Sequence, residues 1–197
     1  MRLLIATTNQ DKVREVRQLL DGVPFDVVTL AGWPGVEAPE EVGPTFEENA
    51  RAKALYYAAA TGELTVAEDS GLAIDALDGA PGVESARFGG ADTSYPDKFS
   101  LIYEALRARA TPGRPTTARF ICAVALAKGA RVLFETRASV EGRIAPEPAG
   151  DGGFGYDPIF FYPPYGQTLA EAGDRKAAVS HRGEAFRALA AFLQSHF

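Results

Sequence analysis

One cysteine, one methionine, one tryptophan and two histidines are present in this 197-residue chain. The single thiol, Cys122, excludes an internal disulfide and a thiolate metal site. Lysine is scarce as well, at five positions against fifteen for arginine, and acidic residues outnumber basic ones to give a formal net charge of −6. That balance argues against a general nucleic-acid binder, whose affinity would rest on cations neutralising phosphates. A small phosphorylated ligand is still allowed, because it needs only a local cation cluster or a divalent metal. No apolar run approaches the ~20 residues that span a bilayer, and Leu3-Leu4-Ile5-Ala6 is too short for a signal-peptide core. No P-loop glycine-lysine motif is present, so a Walker-type NTPase is excluded. The expectation is a soluble, cytoplasmic protein with neither a membrane nor a nucleic-acid polymer as partner.

What the chain does have is enough apolar content, 46%, to bury a core in one domain or one domain with a smaller lobe. Its organising stretch is 67–90. Leu64 to Ala67 reads as a strand running into Glu68 and Asp69 and then Ser70-Gly71, so charge is expected where the backbone leaves the core, the place where α/β proteins put their chemistry. Side chains alternate faces along a strand, so only one of the two carboxylates should face a site. Asp69 is favoured, because Ser70-Gly71 directly after it offers a hydroxyl and room for a ligand. Asp78-Gly79-Ala80-Pro81-Gly82 is predicted as a tight turn with glycines suited to positive φ.

Residues 2–6 are a predicted buried strand, followed by a helix from Gln10 to Leu20 capped by Asn9. Such a helix start offers free N–H groups to an anion, and Lys12 would add a full charge there. A lone lysine at this point is usually just solvated, so only a partner elsewhere would give it a role. Phe25 to Leu30 is a second strand, and the Pro/Gly-rich loop 31–44 carries Glu37, Glu40 and Glu41. Thr45 with Glu48 forms a predicted capping box for a helix ending at Gly62. Its Phe46, Asn49 and Lys53 share one face, which sets Lys53 beside packed surface and in want of an anionic partner.

A helix opening at Tyr95-Pro96 should pack through Phe99, Leu101, Ile102 and Leu106. Beyond the loop predicted at 111–115, Thr116 to Ala127 and Arg131 to Val140 form a hairpin, which makes the sheet mixed. In 145–166, glycines around Phe154 would let a flat ligand approach ring and backbone together, with Asp157 placed to accept from a base edge. Phe160 to Tyr165 suits either an interior strand with a turn or a dimer contact. Ser180 would cap a last helix built on Phe186, Leu189, Phe192 and Leu193, placing His181 and Arg182 at its N-terminus. These cations at or near helix starts, the further lysines Lys53 and Lys176, the carboxylates Glu40, Glu41 and Asp69, and one stacking aromatic are together what a nucleoside polyphosphate with Mg²⁺ requires.

Six segments then carry a resemblance: Thr7-Thr8-Asn9-Gln10-Asp11-Lys12, Thr45 to Ala54, Glu68-Asp69-Ser70-Gly71-Leu72, Gly79-Ala80-Pro81-Gly82, Gly152 to Pro158 and Ser180-His181-Arg182-Gly183. In order and spacing they closely resemble the inosine triphosphate pyrophosphatase family. Departures are small, with Thr8 where glycine is frequent, Glu68 where aspartate is expected and Glu84 where tyrosine is common. The resemblance implies an α/β fold with a long, twisted, mixed sheet flanked by helices, one domain over 1–197 whose two lobes surround a nucleotide cleft, and a homodimer. It implies Mg²⁺-dependent hydrolysis of ITP, dITP and XTP to the monophosphate and pyrophosphate. Carried over residue by residue, Thr7, Thr8, Asn9, Gln10, Asp11, Lys12 and Lys53 would hold the triphosphate, and Glu40 or Glu41 with Asp69 the metal. Asp69 would be the base that activates water, with Lys12 and Lys53 assisting, and Ser70 a substrate contact. Phe154, Gly155, Tyr156, Asp157, Lys176, His181 and Arg182 would form the nucleoside site. Donors from His181 or Arg182 would suit a 6-oxo purine and meet adenine's amino group donor to donor, a mismatch of ~1–3 kcal/mol. Guanine carries the same 6-oxo group, so this contact alone does not reject GTP. A Maf-type pyrophosphatase and a nucleotide sensor without catalysis are the rival readings. Ser180-His181-Arg182-Gly183 weighs against the first, and Asp69 beside two lysines against the second.

Overall fold

Three apolar residues of β1 (Arg2–Ile5) lie fully buried, and the strand pairs in parallel with β2 (Asp26–Thr29) on one side and β3 (Leu64–Ile74) on the other. The structure, a computed structural model, describes residues 1–109 and 116–197, and the loop expected at 111–115 lies outside them. The sheet continues through β4 (Thr117–Lys128), β5 (Arg131–Ile144), β6 (Phe160–Tyr162) and β7 (Gln167–Thr168), in the order β2-β1-β3-β4-β5-β6-β7. β4 and β5 are joined by Gly129-Ala130 alone, too short for a crossover and hence antiparallel, and Gly129 takes the positive φ that the turn needs. β6 is antiparallel to both β5 and β7. The mixed α/β sheet expected from the hairpin is therefore present. β6 is an interior strand followed by a turn, and Phe160 is fully buried, 4.5 Å from Phe120 ring to ring.

Helix starts follow local chemistry. Asn9 caps α1 (Gln10–Leu19) by accepting from the amides of Asp11 and Lys12, and Thr45 caps α2 (Phe46–Thr61) by accepting from the Glu48 amide. α2 stops at Gly62, in the left-handed conformation. Ser94 caps α3 (Tyr95–Ala108), whose Phe99 and Ile102 are buried. Leu101, expected on that apolar side, is exposed instead, because the buried arc is narrower than the spacing suggested. The short α4 (Lys176–Val179) precedes α5 (His181–His196), with Ser180 extended between them.

The chain divides into two compact units. The first comprises Met1–Asp69, Cys122–Ala138 and His181–Phe197, and its core gathers Leu3, Ile5, Val16, Leu126, Phe186 and Leu189. The second comprises Ser70–Ile121 and Ser139–Ser180, with a core around Leu72, Ile74, Ile102, Ile144, Phe160 and Leu169. β3, β4 and β5 each contribute residues to both units, and the boundary on β3 falls between Asp69 and Ser70.

Candidate active site

The strand expected to end in Glu68 and Asp69 runs on to Ile74, so both carboxylates lie inside β3 and are 4% exposed each. The expectation that they mark where the backbone leaves the core is corrected: β3 runs on past its last β1 partner, Val66, with β4 still its neighbour in the sheet, and both carboxylates are buried, so each must find partners. Alternation does hold, and the two side chains meet different groups. Ser70-Gly71 is likewise strand and not turn. A Cβ on Gly71 would collide with Ser85 Oγ and lie 2.6 Å from the Gly82 carbonyl. Ser85 Oγ itself accepts from the Leu72 amide at 2.9 Å, so glycine lets the strand approach this brace.

Around Asp69, Asn49 donates from Nδ2 to Oδ2 at 3.0 Å, and Lys53 Nζ lies 3.6 Å from Oδ1. Lys53 also binds Glu41 at 2.6 Å, so the partner it was expected to need is present. Asn49 Oδ1 accepts from the Gly43 amide at 2.8 Å, which ties the acidic loop to the same helix face. Burial raises the Asp69 carboxyl above its ordinary range; Lys53 opposes this, and the negative charge of Glu41 adds to it. Of the two acidic candidates on the loop, Glu41 therefore stands with Asp69, while Glu40 is exposed.

Around Glu68 the balance differs. Lys12 Nζ is 3.0 Å from Oε1, Arg182 donates from Nε and Nη2 to the two carboxylate oxygens at 3.1 Å each, and the Cys122 thiol donates to Oε2 at 3.0 Å. Arg182 also donates to Glu15 at 2.7 Å. Burial alone would raise the Glu68 carboxyl; the charges of Arg182 and Lys12 overcome it and hold the group well below the usual range. Burial and the neighbouring Glu68 charge push the Cys122 thiol well up, so it remains a donor. Lys12 is thus paired with a buried carboxylate and not simply solvated. The β1–α1 turn before it, Thr7 to Gln10, is mostly exposed, with the Thr7 hydroxyl accepting from the Asn9 amide and Asp11 paired to Arg14.

The remaining candidates fall in two places. His181 and Arg182 belong to the first unit and are buried at the start of α5, where Arg182 is held by Glu68 and Glu15 and not presented as an unengaged arm. In the second unit, Asp157 Oδ2 accepts from the Phe154 amide and from Lys176 Nζ, both at 2.8 Å, and the Lys176 ammonium lies 4.7 Å from the Phe154 ring centroid. Gly153, at φ +68°, is required here, since a side chain would collide with Asp157 Oδ2. Tyr156 donates its hydroxyl to the Ser85 carbonyl at 2.8 Å, and Gly155 lies 3.6 Å or more from the Tyr95 ring even when given a Cβ. Asp157, expected to read a base edge, is thus already engaged in bracing this loop.

Sequence reasoning did not single out Asn49, Glu15, Cys122 or Ser85 as partners. Asn49 was legible, being aligned with Lys53 on one helix face, and Glu15 lies three residues beyond Lys12. Cys122, inside an apolar strand, carried no such signal.

The donor set around Asp69 fits a hard divalent cation, because the carboxylates of Glu41 and Asp69 both reach the Lys53 ammonium, at 2.6 and 3.6 Å. Among the described residues no group of three or more His, Cys, Asp or Glu side chains is placed to hold an ion.

The Ham1 family model matches residues 3–192. The chain is 50% identical over 188 residues to a dITP/XTP pyrophosphatase of Gloeobacter violaceus, covering 95% of this chain and 91% of that one. To a dITP/XTP pyrophosphatase of Exiguobacterium sp. it is 46% identical over 192 residues, covering 97% and 96%. Among solved structures it is similar to a HAM1 protein from Coxiella burnetii, with a TM-score of 0.91, 37% identity and 99% coverage of both chains. No helix among the described residues is long and apolar enough to cross a membrane.

Proposed function

Because the chain belongs to the Ham1 family, we propose that it is a nucleoside triphosphate pyrophosphatase that hydrolyses the nonstandard purine nucleotides ITP, dITP and XTP. The observation that carries the mechanism is the buried Asp69, raised in proton affinity and set between Asn49, Lys53 and the Glu41 carboxylate. A carboxylate in that state is suited to take a proton from water. The water oxygen bonds to phosphorus, the bridging bond to pyrophosphate breaks with its electron pair leaving on pyrophosphate, and the proton passes through Asp69 to solvent. Lys53 and Lys12 offset the charge gathering on the leaving group. Asn49 holds the Asp69 carboxylate in one orientation throughout.

Glu41 and Asp69 would hold Mg²⁺, which when bound supplies charge neutralisation on the phosphates. Thr7 to Asp11 and Ser70 are assigned to the triphosphate end. Phe154 to Asp157, Lys176, His181 and Arg182 are assigned to the nucleoside, with Phe154 stacking on the base. The same reading takes the protein to be a cytoplasmic homodimer with the chain folded as one domain of two lobes. The relatives named dITP/XTP pyrophosphatase support the substrate class.

The test is pyrophosphate release from ITP, XTP, ATP, GTP and TTP, with Mg²⁺ and with chelator. Release confined to ITP and XTP, dependent on Mg²⁺ and lost in Asp69→Asn, supports the reading. Binding without cleavage makes the protein a sensor, and preference for a pyrimidine nucleotide overturns the base assignment.

A further inference from the structure

A carboxylate 3.0 Å from a cation assigned to a triphosphate repels the ligand that the cation should attract, so the contact between Glu68 and Lys12 needs a reason. Its construction supplies one. The Arg182 guanidinium grips both Glu68 oxygens, Nε on Oε2 and Nη2 on Oε1, each at 3.1 Å, in the bidentate geometry that fixes a carboxylate plane. Cys122 donates to Oε2 from β4, and Arg182 is in turn held by Glu15 on α1. The carboxylate is thereby anchored from α5 and β4, and its Oε1 faces Lys12, whose side chain is only 18% exposed. A lysine on a flexible four-carbon stem loses rotamer freedom when it binds phosphate, and a fixed anion spends that entropy before the ligand arrives.

We propose that Glu68 is the positioning residue of Lys12: clamped by Arg182 and Cys122, it holds the Lys12 ammonium in the place where the leaving pyrophosphate needs it. Within one partly buried cluster two carboxylates, Glu68 and Glu15, meet two cations, Lys12 and Arg182. Glu68 thus weakens ground-state attraction for the triphosphate and aims the cation at the charge that develops in the reaction. The inference rests on the pyrophosphatase reading for the duty of Lys12 but not for its placement.

Glu68→Gln, Lys12→Gln and the double variant separate these effects, with far-UV circular dichroism and a thermal melt confirming that each is folded. Three readouts apply: kcat and KM for ITP, calorimetric binding of inorganic tripolyphosphate in chelator, and proton exchange at the lysine Nζ by NMR, with the Lys12 signal assigned by its loss in Lys12→Gln. Glu68→Gln should lower kcat about a hundredfold, as an ångström of misplacement does, while KM stays level or falls and tripolyphosphate binds severalfold tighter. In the Lys12→Gln background the further loss of kcat should shrink to the share that comes from releasing Arg182. An equal additional loss in that background, or weaker tripolyphosphate binding, overturns the proposal. If Glu68→Gln does not fold, the unaltered protein decides the matter: slow exchange at the Lys12 ammonium supports pinning, and exchange as fast as that of a solvated lysine overturns it. An unaltered chain that releases no pyrophosphate overturns the functional reading, while tripolyphosphate binding and Nζ exchange still judge Glu68.

Discussion

The two faces of β3 at residues 68 and 69 put chemically similar carboxylates at equal burial and treat them in opposite ways. Glu68 meets Lys12, a bidentate Arg182 and a thiol donor, and is held well below its ordinary proton affinity. Asp69 accepts from Asn49 at 3.0 Å and lies 3.6 Å from Lys53; burial, joined by the negative charge of Glu41, outweighs the nearby cations, and its affinity is raised. The difference separates a carboxylate that is locked as an anion from one that is poised to exchange a proton. Burial is common to both, so the partners that the alternating strand presents to each face decide the outcome.

The largest effect should come from Asp69→Asn, which removes the proton acceptor. Pyrophosphate release from ITP should fall by about 10²–10⁴, while the melting temperature moves less than in Glu68→Gln. A melting shift as large as the Glu68 variant's would erase the distinction between the faces.

Glu68→Gln should act the other way round on stability, because it leaves Arg182 and Lys12 short of a buried counter-charge. Loss of one partner of a buried pair destabilises by about 3–5 kcal/mol, which at about 2–4 °C per kcal/mol lowers the melting temperature by roughly 6–20 °C. Calorimetry of the two variants side by side measures the contrast directly.

Acid titration sharpens the comparison with less perturbation. The folded pKa of Glu68 is depressed, so its contribution to stability is present above the unfolded carboxylate value near ~4.3 and is lost as pH falls through the folded value. The folded pKa of Asp69 is raised, so its contribution is present below the unfolded value near ~3.9 and is lost as pH rises through the folded one. Urea unfolding across acid pH should show a steeper low-pH decline for the unaltered protein than for Glu68→Gln, and no such flattening for Asp69→Asn.

The smallest effect expected is on the strand that carries both groups. Gly71→Ala would press a methyl against Ser85 Oγ and the Gly82 carbonyl, shifting β3 at a cost of about 1–3 kcal/mol. Both faces should then suffer together in melting temperature and in rate, whereas the single variants separate them.

Much of this was legible along the chain. Asn9 and Thr45 as caps, Gly62 as a stop, the hairpin around Gly129 and the positive φ of Gly79 and Gly82 are local matters of hydrogen-bonding side chains and steric permission, and the structure has each of them. The stripe of Phe46, Asn49 and Lys53 is likewise set by helical periodicity, and all three are buried on one helix. The length of β3 was not legible. A run of Glu-Asp-Ser-Gly has the composition of a strand end, and only the neighbouring β4 and cations on three helices make it interior.

Periodicity and local chemistry along the chain were enough to fix that Lys12 begins a helix, that Lys53 lies on a packed face, and that Glu68 and Asp69 point apart. Contacts between residues distant in the chain assigned the roles. Arg182 lies 114 positions from Glu68 and Cys122 lies 54, and no local pattern encodes either meeting. The proton affinity of a buried carboxylate depends on the charges within a few ångströms of it, and the folding of α1, α2, α5 and β4 onto β3 is what sets them there.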